Sequence, residues 1–231
     1  MYENQNTSTQ YQLDVTLALN SYIARVFGIM FAGLAVTAFT AFYFSASNLI
    51  INLGNGIFAI IIIELILVMA LSAAIKRISY GVALTMFIAY SFLNGITLSI
   101  IFIIYELGSI ATAFTITAAT FGIMAIYGHI TKNDLTGFGS LAGMFLIGGL
   151  ITMFVNFFLG SAAIDYIVSV VLLVVFVGLV AYDTQKLKGY FFATQNDEVA
   201  QRKLGIIGAL SLYLDFINIF IRLLRIFGRR K

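Results

Sequence analysis

The chain has 231 residues, 61% of them hydrophobic and 10% charged, with no cysteine and no proline, and its mean hydropathy is +1.02. These values exclude a soluble domain, a disulfide framework, thiol catalysis and cysteine-based metal sites. The net charge of +3 lies mostly in loops and at the C-terminus, so it reads as a topology signal and not as a nucleic-acid surface.

Residues 1–21 form a polar, slightly acidic tail that lacks the basic start and short apolar core of a signal peptide. The first span then serves as its own targeting signal. No formal charge falls in Val26–Ile63, Ile78–Tyr105, Leu107–Thr131 or Leu135–Ile164. About 20 apolar residues cross a bilayer as a helix, and the pattern predicts seven spans near 22–46, 50–75, 80–104, 109–130, 138–159, 163–185 and 204–227. The apolar runs are continuous and do not alternate, which argues against a β-barrel. Most breaks are short; the longer one, KLKGYFFATQNDEVAQRK, separates spans six and seven. The expectation is an all-α polytopic membrane protein, with one transmembrane domain over 22–228 and a basic tail at 229–231. Small residues at four-residue spacing, Gly139/Gly143 and Gly205/Ala209, fit close helix approach, but such pairs are common in a chain with 20 glycines.

Orientation follows from lysine and arginine. Arg25, Lys76, Arg77, Lys132, Lys186, Lys188, Arg202 and Lys203 lie on the N-terminal side and in the even loops, and the odd loops carry none. The N-terminus and even loops are therefore expected in the cytoplasm. Seven full spans would export the tail with Arg225, Arg229, Arg230 and Lys231. A re-entrant last segment would keep it inside, but Leu204–Phe227 is long enough to cross.

Three acids fall within spans. Asp215 is eleven residues into the last one, and Ser211, Asp215, Asn218, Arg222 and Arg225 step along one helical face. A charge at mid-membrane costs roughly 2.5–3.5 kcal/mol on insertion scales, so this stripe must face protein or water and the last helix should be central. Asp183 closes span six, on the side where span seven begins, and the two aspartates can approach. Glu64 lies within span two, and Arg77 at the end of that span can reach an aspartate on a neighbour. A plain structural role, helices pinned by buried polar pairs, is the competing reading. A lone histidine, His129, builds no metal site. The catalytic patterns HExxH and GxSxG are missing. The aspartyl-protease pattern is half met, with Tyr182-Asp183 present but no Gly-x-Gly before Asp215, so no enzyme is expected.

The segments GALSLYLDFINIFIRLLRIFG, VGLVAYDTQKLK and YGVALTMFIAYSFLNGITLSIIF resemble the transmembrane Bax inhibitor-1 family, in its bacterial branch, from about Tyr22 to Gly228. The resemblance implies a seven-helix bundle with the last helix enclosed by the other six. It also implies a pH-sensitive calcium leak, with Asp183 and Asp215 as a hydrogen-bonded pH sensor and Arg77 as a latch. Glu64 then resembles a pore-side acid, with Ser211, Asn218 and Arg222 along the ion pathway. No cofactor is expected; calcium is the transported ion, bound transiently by Asp183 and Asp215, since carboxylate oxygens suit it. The implied setting is a bacterial inner membrane, with lipid as the partner, no nucleic acid, and a monomer. Some bacterial members resemble modulators of a membrane-bound protease, so a non-conducting interaction protein is the alternative.

Overall fold

The computed structural model describes residues 2–47, 49–50, 54 and 56–231. Among the described residues seven helices run in chain order: α1 Tyr2–Ala46, α2 Gly56–Ala74, α3 Tyr80–Ile104, α4 Leu107–Ile130, α5 Thr136–Leu159, α6 Ala162–Ala193 and α7 Glu198–Phe227. All seven are long and apolar enough to cross a membrane. The start of the expected second span includes 51–53 and 55, which lie outside the described residues. The polar N-terminal stretch is not a separate tail in shape: it continues into α1 as one helix. The long connection before the last span also shrinks, because α6 runs on to Ala193 and α7 already starts at Glu198.

The helix starts follow from local chemistry. Ser79 caps α3 by accepting from the Val82 N–H at 3.3 Å, and Asp197 caps α7 by accepting from the Ala200 N–H at 2.9 Å. These side chains occupy donors that the first helical turn leaves without partners. Helix α5 closes at Gly160, whose φ of 64° is a left-handed value that favours glycine.

Helix α7 is the axis of the bundle. In its apolar window 67% of residues are buried, against 11% for α2 and 6% for α5. It packs on α1, α3, α4 and α6, whereas α2 lies mainly against α3 and α5 against α6. The last helix is thus central, with four close neighbours and two helices on the periphery. Tyr213, with no exposed surface, stacks edge-on against Phe87 and Tyr90, with centroids 5.7 Å apart in both cases.

The C-terminus lies at the opposite end of the bundle from the start of α7. Arg225 Nη1 meets Asp165 Oδ1 at 2.7 Å, beside the α5–α6 loop. Beyond α7 the chain turns along the α3–α4 loop: the Glu106 N–H donates to Arg229 O at 3.0 Å, and the Lys231 N–H to Ile104 O at 2.9 Å. The last helix therefore crosses completely, and the re-entrant alternative does not hold.

Of the expected small residues, Gly139 lies close against the Tyr182 ring of α6, where a Cβ would clash. A Cβ on Gly143 would meet nothing within 4 Å, and one on Gly205 only ordinary contacts. Gly128 of α4 instead lies directly on the backbone of Ala181 in α6, where a Cβ would collide with the carbonyl. Gly128→Ala is expected to cost about 1–3 kcal/mol, since backbone cannot give way as a side-chain tip can. Thermal unfolding of the purified protein in detergent checks this: its midpoint should fall for Gly128→Ala and stay unchanged for Gly143→Ala.

Candidate functional site

Two polar clusters flank α7. Residues two apart on a helix point about 200° apart, so Asp215 and Tyr213 serve opposite sides of the same turn.

On the α6 side, the carboxyl groups of Asp183 and Asp215 are within hydrogen-bonding reach of one another. Asp215 is buried, 3% exposed, and Asp183 is half-buried. Among the described residues Asp215 Oδ2 has no hydrogen-bond partner. Ionised carboxylates only accept, so a hydrogen bond between these two requires that one carry a proton. The cation acting on the pair is Lys186, one turn beyond Asp183. Its ammonium lies 5.5 Å from the Tyr182 ring centroid and 5.7 Å from that of Tyr190, at the edge of a cavity of about 580 Å³ bounded by Thr131, Thr136 and Gln185. Gln185 ties α6 to the α4–α5 loop, accepting from the Leu135 N–H at 2.9 Å and donating to Asn133 O at 2.7 Å.

Arg77 is exposed at the end of α2 and, among the described residues, makes no ion pair or side-chain hydrogen bond. Neighbouring Lys76 accepts from Lys203 Nζ at 3.5 Å through its carbonyl. Lys203 is twelve residues before Asp215, about 18 Å along α7 at 1.5 Å per residue. The latch contact is thus not made in this arrangement.

On the other flank, Glu64 is buried and accepts from Asn94 Nδ2 at 3.2 Å and from the Thr97 hydroxyl. Tyr213 donates to Asn94 Oδ1 at 3.1 Å, and its hydroxyl lies 2.6 Å from Thr37 Oγ1. Thr37 in turn reaches Ser91 O at 2.8 Å and Gly33 O at 3.0 Å. Four helices, α1, α2, α3 and α7, meet in this chain. Each hydroxyl has one proton, so Tyr213 and Thr37 cannot make all their contacts at once, and the chain has alternative proton arrangements. Sequence reasoning found Glu64 but missed Asn94, Thr97, Tyr213 and Thr37. The available signal was a polar residue recurring among apolar ones, which hydroxyl and amide side chains in a helix show too weakly.

The rest of the expected stripe follows the least enclosed face of α7, where Ser211, Leu214, Asn218 and Ile221 are half-buried. Asn218 Nδ2 donates back to Leu214 O of its own helix at 2.8 Å. Arg222 is buried, 6% exposed; its Nη2 reaches Met153 Sδ at 3.5 Å, while Nε and Nη1 have no partner. Asp165, the carboxylate acting on Arg222, is ion-paired to Arg225. No group of three or more potential metal-ligating side chains gathers among the described residues.

Set against known proteins, residues 19–231 match the family described as inhibitor of apoptosis-promoting Bax1. Inner membrane protein YbhL of Escherichia coli K12 is 48% identical over 218 residues, covering 92% of this chain and 93% of that protein. An uncharacterized protein of Borreliella burgdorferi is 40% identical over 219 residues, covering 93% and 94%. An uncharacterized membrane protein of Streptococcus pyogenes serotype M1 is 39% identical over 219 residues, covering 92% and 94%.

Tyr213→Phe keeps the ring packing but leaves Asn94 Oδ1 without its donor. It is expected to cost on the order of 1 kcal/mol, the scale of buried hydrogen bonds between membrane helices. Asn218→Ala removes only a bond within its own helix and should change little. Unfolding midpoints of the two variants, measured side by side in detergent, check the difference.

Proposed function

The chain belongs to the Bax inhibitor-1 family of integral membrane proteins, and from that membership and the Asp183–Asp215 contact we propose that it is a proton-gated cation leak, with calcium as the ion. The contact carries the reading because it joins the central helix to its closest-packed neighbour through one proton.

The sign follows from charge. With its proton the pair bears one negative charge and α6 stays hydrogen-bonded to α7. Without it, two negative charges face each other in a medium of low dielectric and repel. The arrangement described above is thus the acid-side one, and raising the pH favours separation of α6 from α7. The bared carboxylates then offer hard oxygen ligands to a calcium ion. They also offer a partner to Arg77, whose latch contact belongs on this reading to the deprotonated state. Glu64 supplies a second acid toward the pathway, and Ser211 and Asn218 line it. Arg222, about 10 Å from Asp215 along α7, is a fixed positive charge that opposes cation passage at the far end. By the lysine and arginine bias, the N-terminus and even loops face the cytoplasm and the tail faces out, in an inner membrane like that named for YbhL.

Calcium flux into proteoliposomes holding the purified protein tests this between pH 6 and 8. Wild-type flux is expected to change with pH. Asp215→Asn keeps the shape and one hydrogen bond but removes a titrating group, so its profile should be flat. Arg77→Ala should leave the acid-side flux unaltered and alter it on the basic side. A flat wild-type profile in a sample that conducts would sink the proton gate. Absence of calcium flux at any pH would leave the non-conducting role, restraint of a membrane protease, as the better reading.

A further inference from the structure

Helices α1 and α4 meet at Phe27 and Phe121, whose ring centroids are 6.2 Å apart. Toward the α3–α4 loop a gap separates them, lined also by Leu98, Ile101 and Phe102 of α3. The gap is a groove of about 490 Å³, with Ala38 of α1 and Ala111 and Phe114 of α4 on its rims and Phe216, Ile217 and Phe220 of α7 on its floor. The groove reaches in to the central helix, whose floor residues are buried. On α4 the groove extends from Leu107 to Thr115, eight residues or about 12 Å, so it opens within one leaflet and its wall is almost wholly apolar.

Its upper end is basic. Phe102 lines the groove, and its carbonyl accepts from Lys231 Nζ at 2.8 Å. Leu107 lines it too, and adjacent Glu106 holds Arg229 through the backbone. The Arg229 N–H also donates to Ser109 Oγ at 3.0 Å, and Tyr105 pairs with Arg230 in an antiparallel bridge. Lys231 is thereby held at the groove mouth, Arg230 lies next to it against Tyr105, and Arg229 lines the neighbouring cavity with Glu106 and Ser109; all three side chains are exposed. Glu106 is the acidic side chain among them, so cations are in excess. Lys231 keeps two of its three ammonium protons for another acceptor.

We propose that this groove holds one acyl chain of an anionic phospholipid, whose phosphate is bound by the basic C-terminal residues. Lipid is the medium around every span, the wall suits a hydrocarbon chain, and the mouth suits a negative headgroup. The occupant touches α7 on the turn that carries Asp215, so lipid composition acts directly on the central helix.

Native mass spectrometry of the full chain, titrated in detergent with dioleoyl phosphatidylglycerol or dioleoyl phosphatidylcholine, tests the site. Wild type should retain the anionic lipid about tenfold better, as expected for several basic groups near one phosphate. The triple variant R229Q/R230Q/K231Q should retain the two lipids about equally. Ala111→Phe and Thr115→Phe fill the groove from its exposed rim and should lose retention of both, while Leu141→Phe on the outer face of α5 should behave as wild type. Excess glycerol 3-phosphate, which has the headgroup charge without a chain, should displace little. Equal retention by wild type, an unchanged preference in the triple variant, unchanged retention in both groove variants, or full displacement by glycerol 3-phosphate would each overturn the proposal.

Discussion

Polar groups within a bilayer must find their partners inside the protein, because hydrocarbon offers none. That constraint organises this molecule around α7. The helix carries Asp215 and Arg222, both buried, and Tyr213, which has no exposed surface. Placed on the periphery, such a helix would present these groups to lipid. Placed at the centre, it gives each a wall of protein. Helices α2 and α5 are the converse case: they are apolar nearly all round, bury little and occupy the outside.

Central placement gives α7 two unlike flanks. Toward α1, α2 and α3 it joins a chain of neutral hydrogen bonds that ends at Glu64. Such a network, shared by four helices, fixes their mutual register. Toward α6 it meets a second carboxyl, and among the described residues Asp215 makes no ion pair. One flank therefore specifies structure, while the other depends on a single proton. The Gly128–Ala181 approach lies two residues from Asp183, so α4 backs the segment of α6 that carries the titrating group.

On the proposed orientation the basic tail departs from the simple charge rule, and the folded bundle gives it partners. Here Arg225 is paired with Asp165, Lys231 is bonded to Phe102 O, and the backbone of 229–231 is stitched to the α3–α4 loop. The rule describes insertion, whereas these contacts form only once the bundle has assembled.

By itself the sequence determined the membrane class, the seven crossings and the central last helix. Each follows from hydropathy over about 20 residues or from the 3.6-residue spacing of Ser211, Asp215, Asn218 and Arg222, and both signals are local. The expected pairing of Asp183 with Asp215 came from motif resemblance, because spacing alone said only that they share one half of the bundle. Only the tertiary structure decided the rest. Arg77 was expected to end the second span and lies in the turn three residues beyond α2, and its distance from Asp215 depends on how far α2 rises against α7. Asn94, Thr97, Tyr213 and Thr37 look like ordinary helical residues until four helices bring them together. The groove between α1 and α4 is likewise a property of two helices distant in sequence that touch at one level and part at another. Depth, register and divergence between helices are set by packing across the bundle, and no single segment encodes them.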